Sequence, residues 1–340
     1  MPLNMSKNSK TSLKISIVIP TLNCAIILKK CLLSIKKQSY KNYEIIIADG
    51  GSTDKTLTLA KKYHCHIIKN SLKTAEAGKA VGVKAAKGEY VALIDSDNIL
   101  PNKYWLSQML LPFEDANIIG SEPIAFTYRK NAGFIERYSA LLGANDPYAY
   151  FSGNYDRYSY LSNKWTNIKI KTEDKQSYLK LKIEDCILLP TIGANGTLFK
   201  RDFLLKNIKG DYLFDIDILA QAKKPIYFAK VKNSIIHTFC ESSIKKFFKK
   251  QNRRLTDYYH YLPKRHYQWT QNSKSISFAI YSLLIFPSLY DSIRGFIKKP
   301  DFAWFFHPLA CLGTTIIYAY ITIKYKLGLL KPLDRNKWQQ

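Results

Sequence analysis

Apolar residues in the first hundred positions follow two alternating rhythms. Lys14-Ile-Ser-Ile-Val-Ile19 is an almost unbroken apolar run that stops at Pro20, and Tyr43 to Ala48 is a second; each reads as a strand buried on both faces. Between them, Leu28, Cys31, Leu32 and Ile35 recur at helical spacing within Ala25 to Lys37. The alternation continues. Thr53 to Tyr63 has a Ser/Thr start signal and predicts a helix, His66 to Lys69 a short strand, and Ala75 to Ala86 a third helix. Glu89-Tyr-Val-Ala-Leu-Ile94, preceded by Lys87-Gly88, is a further buried strand. Strand–helix units with short connections predict an α/β domain whose parallel sheet is covered by helices on both faces.

This architecture gives meaning to Asp95-Ser96-Asp97, which follows directly on the last of those strands. In open α/β sheets the ligand crevice lies outside the carboxyl ends of the strands. Two carboxylates one residue apart there can share a hard divalent cation, which takes oxygen ligands and often shares them with substrate phosphates. By itself the tripeptide also describes an Asp-rich turn. Gly50-Gly51, after the second strand, lets the backbone approach a ligand closely and is also a tight turn.

Ile17-Val-Ile-Pro-Thr-Leu-Asn23, Asp49-Gly-Gly-Ser-Thr-Asp54 and Ala86-Lys-Gly-Glu-Tyr-Val-Ala-Leu-Ile-Asp-Ser-Asp97 form a linked set, more specific than any one of them. In order and spacing the set resembles the family 2 glycosyltransferases. The resemblance implies a GT-A type fold: a Rossmann-like α/β domain with a parallel or mixed sheet and helices on both faces. It also implies a nucleotide-sugar donor, a divalent metal (Mg²⁺ or Mn²⁺) and inversion at the anomeric carbon. By resemblance Pro20, Thr21 and Asn23 line the nucleotide pocket, Asp49 holds the base or ribose, and Lys79 faces the donor. Asp95 and Asp97 match the metal motif, with Ser96 between them in the donor site. Two residues depart from the family pattern: Gly50 replaces a second Asp, and Ala80 replaces a common Asn.

A leaving nucleoside diphosphate gains negative charge, which a metal stabilises as a Lewis acid. The acceptor needs a base within hydrogen-bond reach of its hydroxyl. Phe214-Asp-Ile-Asp-Ile218 resembles the family's acidic pair at a helix start, which makes Asp215 the expected catalytic base and Asp217 its support. The macrodipole alone also favours acids at a helix N-terminus. Gly193-Ala-Asn-Gly-Thr-Leu-Phe-Lys-Arg201 resembles the segment that closes over the donor sugar, with Gly193 and Asn195 as contacts, though Asn195-Gly196 also reads as a plain turn. His237 follows a strand expected over Val231 to Ile236. Some relatives bring a His near here to the metal, while a lone His is more often structural. Gln251-Asn-Arg-Arg254 resembles the Gln-x-x-Arg of processive members, which directs Gln251 and Arg254 to substrate. Leu255 replaces their Trp and argues against processive polymerisation, and the stretch reads equally as a solvated basic helix.

Composition changes the picture mainly at the C-terminal end. The chain has 340 residues, 46% of them hydrophobic, ample for a core. Its cysteines, Cys24, Cys31, Cys65, Cys186, Cys240 and Cys311, form no Cys-x-x-Cys or regular framework, in line with a reducing compartment. A net charge of +26 needs a partner. No nucleic-acid motif accompanies it, so an anionic membrane surface is expected and nucleic acid is not. Ile276 to Tyr290, interrupted by Pro287, and Phe302 to Ile323 are apolar runs flanked by Lys and Arg; the second is long enough to span a bilayer. A hairpin with both basic ends in the cytosol and a pair of interfacial amphipathic helices are both open. Burial in the protein core is the alternative to either.

The expected organisation is a disordered tail over 1–12, a catalytic domain over 13–255 and a membrane-associated helical region over 256–340. Within the catalytic domain, 13–111 is the nucleotide-binding half and 112–255 the acceptor half. The Tyr-rich stretches Tyr148 to Tyr155 and Tyr158 to Tyr160 suit packing or sugar stacking, and Gly143-Ala-Asn-Asp-Pro147 is a turn within reach of an acceptor. The resemblance and the membrane pattern together imply transfer to a hydroxyl of a lipid-linked glycan or surface-polysaccharide precursor, on the cytoplasmic face of the cell membrane. Alternatives are a polyprenyl-phosphate sugar synthase and a non-catalytic basic adaptor on the same fold.

Overall fold

The computed structural model describes residues 14–184, 189–193, 195–265, 267 and 274–332; the expected tail over 1–12 and Cys186 lie outside them. In chain order the elements are β1 (Ile15–Thr21), α1 (Ala25–Lys36), β2 (Tyr43–Asp49), α2 (Thr56–Lys62), β3 (His66–Lys69), α3 (Ala75–Ala85), β4 (Tyr90–Leu93), β5 (Asn98–Ile99) and α4 (Trp105–Leu110). There follow β6 (Ile118–Phe126), α5 (Phe134–Leu142), α6 (Pro147–Ser152), β7 (Lys171–Asp174), β8 (Tyr178–Ile183), β9 (Thr197–Lys200), α7 (Arg201–Asn207), α8 (Asp215–Gln221), β10 (Ile226–His237) and α9 (Ile244–Tyr261). The C-terminal layer is α10 (Ser275–Leu283), α11 (Phe286–Lys298) and α12 (His307–Lys326).

The strands form one sheet in the order β3-β2-β1-β4-β9-β6-β10-β8-β7. Its first four strands are parallel, as their apolar runs predict, with Thr21 opposite Asp49 in the β1–β2 register. Beyond β4 the sheet becomes mixed: β9 runs antiparallel to β4 and β6, while β6 and β10 are parallel. The two-residue β5 sits off this order and pairs His237 with Asn98 at the end of β10.

Two boundaries differ from the sequence expectation for identifiable reasons. Helix α2 begins at Thr56, three residues after the expected start. The Asn23 Oδ1 accepts the N–H groups of Thr53 and Asp54, and Asp54 Oδ1 accepts that of Thr56, so residues 53–55 are held in a loop. Strand β10 is twice the expected length because it carries a fully buried Lys230 in mid-strand, which interrupts the apolar pattern that locates strands in sequence.

Helix α3 lies unusually close to β1. A Cβ on Gly82 would sit 2.2 Å from Val18 Cγ1, and one on Gly78 2.8 Å from Pro20 Cβ. The small residues at this i, i+4 pair let the helix approach the sheet and bring Lys79 over the strand ends.

The C-terminal layer is not a separate body. Trp304, Phe306 and Ala310 share one core with Ile135, Tyr138 and Phe247 of α5 and α9. The division expected at 255/256 falls inside α9. Phe302–Lys326 is long and apolar enough to cross a membrane, with 33% of its most apolar window buried against protein. Helices α10 and α11 meet at an angle of 81°, across Ile285 with φ +59°. The helices face two ways: His307, Cys311 and Thr314 are buried, while Leu309, Ile316 and Ile323 point outward.

Gly82→Ala is expected to destabilise the protein. Helix propensity favours Ala by about 1 kcal/mol, but overpacking against the fully buried Val18 costs roughly 1–3 kcal/mol. A lower denaturation midpoint at unchanged m-value is the expected result; a higher midpoint would mean that α3 has room to move.

Candidate active site

The carboxyl ends of β1, β2 and β4 bring the three N-terminal motifs together. Thr21 Oγ1 donates to Asp49 Oδ1 at 3.0 Å, and the same carboxylate accepts the Gly51 and Ser52 N–H groups, each at 2.8 Å, and the Ser52 hydroxyl at 2.6 Å. Asn23 Oδ1 gathers the following turn of the loop, and its own N–H donates to Ser52 Oγ. Thr21, Asn23 and the 49–54 loop thus form one hydrogen-bonded unit at the strand ends, and Asp49 uses its oxygens to shape it.

Opposite lies a cluster of charges. Lys79, buried on α3, places its ammonium 3.2 Å from Asp215 Oδ2 and 4.0 Å from Asp95 Oδ1. Burial would pull this amine down, but the two carboxylates outweigh it and hold the ammonium charged. Asp215 opens α8, and burial pushes its carboxyl up to about 6 against the pull of Lys79. Its other oxygen, Oδ1, is buried and has no hydrogen-bond partner among the described residues. Asp95 resembles it: burial raises its carboxyl, and Oδ1 is again buried without a hydrogen-bond partner.

Asp97 is differently placed. The pairing of β5 with β10 brings His237 Nε2 to 3.3 Å from Asp97 Oδ2, and Lys250 of α9 reaches the same oxygen at 3.5 Å. Burial opposes ionisation, but the electrostatic and hydrogen-bond contacts from His237 and Lys250 hold the carboxyl well below its usual range. On its other side, His237 Nδ1 lies 3.3 Å from Asn145 Nδ2, so the ring is held between Asn145 and Asp97. His237 therefore orients Asp97. Ser96, between the two acids, lies against the Cys24 thiol.

Hard oxygen donors, two of them carboxylates and one with an orphaned buried oxygen, fit Mg²⁺ or Mn²⁺. Among the described residues no three His, Cys, Asp or Glu side chains form a complete cation cage. Such cations commonly keep only one or two carboxylates and take the rest from water and phosphates.

Other expected residues fall into place less directly. Gly193 lies beside Asp215, where a Cβ would be 3.6 Å from Oδ2. Asn195 Oδ1 accepts from Asn98 Nδ2, and Asn98 Oδ1 accepts the Asp95 N–H, so Asn195 is tied to the strand end. Asp217 faces away from Asp215; it accepts the Tyr267 N–H and pairs with Arg265. Gln251 and Arg254 are spent on protein partners: Gln251 Nε2 donates to Asn145 O, and Arg254 pairs with Asp146 at 3.3 Å.

Sequence reading missed Lys250, Asn98 and a buried cluster of Glu122, Asp156, Arg157 and Lys230. Arg157 donates to Asn195 O and Thr191 to Asp156 Oδ1, so this cluster pins both ends of the segment beside Asp215. Lys250 lies three residues after the buried Phe247 and next to the buried Gln251, and that packing sets it apart from the other lysines of α9.

The profile described as glycosyl transferase family 2 matches residues 16–206. Among curated relatives, the chain is 36% identical over 92 residues to glycosyltransferase GlyG of Streptococcus pneumoniae, covering 25% of this chain and 31% of that protein. It is 33% identical over 118 residues to WfaP of Escherichia coli, named a UDP-Glc:alpha-D-GlcNAc-diphosphoundecaprenol beta-1,3-glucosyltransferase, covering 34% and 44%. The matched stretches span less than half the length of either relative. Among solved structures, the mannosyltransferase PcManGT of Pyrobaculum calidifontis superposes with a TM-score of 0.45 at 14% identity, covering 99% of this chain and 86% of that one. Because the profile runs from β1 into α7, through more than half of the chain, the protein belongs to glycosyl transferase family 2.

Proposed function

We propose that the protein is a membrane-associated, inverting, metal-dependent glycosyltransferase. It moves a sugar from a nucleotide diphosphate sugar to a hydroxyl of a lipid-linked glycan or surface-polysaccharide precursor. The observation that carries this reading is Asp215: one oxygen fixed by Lys79, the other buried and unpaired, beside two acids suited to a divalent cation. Asp215 takes the acceptor's proton at Oδ1. Lys79 holds Oδ2 in place and balances the charge of Asp95. Asp95 and Asp97 hold the cation, with Asp97 oriented by His237 and Lys250. When bound, the cation supplies Lewis-acid stabilisation of the departing diphosphate. Pro20, Thr21, Asn23 and the 49–54 loop receive the nucleoside, and the segment with Gly193 and Asn195 closes beside the sugar. An ionised phosphate acceptor would offer Asp215 no proton, which favours a hydroxyl. The printed substrate of WfaP supports a lipid-linked acceptor.

The C-terminal layer supports an interfacial attachment in place of a spanning hairpin. Its first helix pair is sharply bent, and α12 lies along α9. The outward faces carry Ile280, Phe286 and Ile297 beside Lys274, Lys298 and Lys299. The catalytic domain then sits on the cytoplasmic face, where nucleotide sugars are made.

The base must be ionised to act, so kcat/KM should rise with pH through about 6, the value at which Asp215 loses its proton, and level off above it. Asp215→Asn should remove that limb and lower turnover on the order of 10²-fold or more. A retained limb near pH 6 with near-normal turnover would assign the base elsewhere.

Attachment is testable by flotation with phosphatidylglycerol–phosphatidylethanolamine vesicles. The full chain should float and stay partly bound in 1 M salt (about 3 Å screening length), because salt does not screen apolar burial. Ile280→Glu with Phe286→Glu should release it. Wild-type flotation by that double variant would remove these helices from the contact.

A further inference from the structure

The network around Asp146 joins the C-terminal helix to the candidate cation site. Tyr318 of α12 donates from its hydroxyl to Asp146 Oδ2 at 2.7 Å. Arg254 pairs with that same oxygen and donates to Gln251 Oε1 at 2.6 Å. Gln251, fully buried, donates to the backbone carbonyl of Asn145 at 2.9 Å. Asn145 is the residue whose side chain reaches His237, and His237 is the residue that reaches Asp97.

A second route runs through the packing of α12 on α9. A Cβ on Gly313 would strike the Phe248 ring at 2.3 Å, so the α12 backbone at Gly313 rests directly on that ring of α9. Tyr259 Oη bonds Thr322 Oγ1 at 3.0 Å, and the Tyr259 and Tyr325 rings stack at 4.2 Å. Helix α9 in turn carries Lys250, the other partner of Asp97. Both contacts fall on Asp97 Oδ2, so the direction of its other oxygen depends on groups that α12 holds in place.

A membrane anchor needs apolar area on its outer face. It has no need of a tyrosine hydroxyl aimed inward at a carboxylate that caps a turn next to the active site. We propose that Tyr318 is a positioning residue for the donor site: through Asp146, Asn145 and His237 it fixes the Asp97 carboxylate in the orientation that receives the cation. This rests on the reading of Asp95 and Asp97 as cation ligands.

The test uses the full chain and Mn²⁺ alone, with binding followed by water-proton relaxation. Partners outside the ligand shell typically change metal affinity by about 10–100-fold, and Tyr318→Phe is expected to weaken Mn²⁺ binding on the order of 10-fold. Its thermal midpoint should stay close to that of the wild type. His237→Ala should lose at least as much, and the double variant should lose no more than His237→Ala, because both lie on one line of contacts. Unchanged Mn²⁺ affinity in Tyr318→Phe, or losses that simply add, overturn the proposal. If Tyr318→Phe does not fold, Asn145→Ala cuts the same line closer to the site, and its Mn²⁺ affinity decides. Asp97→Asn separates the two ideas. If it abolishes binding while Tyr318→Phe and Asn145→Ala do not weaken it, only the coupling fails; if it leaves binding intact, the cation site itself fails and the coupling with it.

Discussion

A lysine ammonium with 5% of its side chain exposed cannot be left without counter-charge. Lys79 meets that constraint with Asp215 and Asp95, carboxylates from a helix start and a strand end more than a hundred residues apart. The requirement fixes three elements relative to one another. Helix α3 must lie close on β1, which the small faces of Gly78 and Gly82 permit. Strand β4 must deliver Asp95 two residues beyond its end at Leu93. Helix α8 must begin with its first carboxylate turned to α3. A single buried charge thereby brings Asp95 and Asp215 together at the ends of the strands. It also leaves one oxygen of each acid buried and without a hydrogen bond, an arrangement that costs stability and is expected where binding or catalysis will satisfy it.

The middle of the chain solves a related problem. Gly193 lies beside Asp215, and neither it nor Asn195 belongs to a strand. Glu122 on β6 and Lys230 on β10 are fully buried, and Asp156 and Arg157 complete their charges. Removing one member of such a set would strand another charge in the core, a loss of roughly 3–5 kcal/mol. The cluster therefore holds its geometry, and it passes that rigidity to the loop through Thr191 and Asn195. The long stretch between β6 and β9 has a structural purpose in delivering Asp156 and Arg157 to this place.

The parts legible in sequence are those set by local pattern. The parallel strands β1, β2 and β4 are apolar runs, and the motifs at their ends stand where strand geometry puts them. Asp215 was singled out only through family resemblance, since a helix-start acid alone has no direction; its place beside Lys79 is a tertiary fact. What stayed hidden depends on tertiary pairing. Lys250 is one of several lysines on a basic helix, and only the packing of Phe247 and Gln251 shows which one turns inward. Asn98 draws its role from a two-residue strand too short to have a period. Lys230 inside β10 broke the very pattern used to find strands. The expected substrate roles of Gln251 and Arg254 came from a motif, and in the structure the two side chains contact Asn145 and Asp146.

The C-terminal helices show how one apolar stretch can carry two meanings. Counted along the chain, Phe302 to Ile323 looks like a span, because polar residues are few. Placed on a helix, those few fall together: His307, Thr314, Tyr318 and Thr322 lie toward the protein, and His307 bonds both Tyr138 and Tyr281. In a bilayer core each of these groups would need a partner within the membrane. Here each bonded one finds it in the catalytic body or in the neighbouring helix. The outward face is left almost purely apolar and fringed by lysine. A helix so divided packs one face into the folded body and leaves the other apolar face outward, so the apolar count along the chain does not by itself distinguish a span from a helix that belongs to the framework.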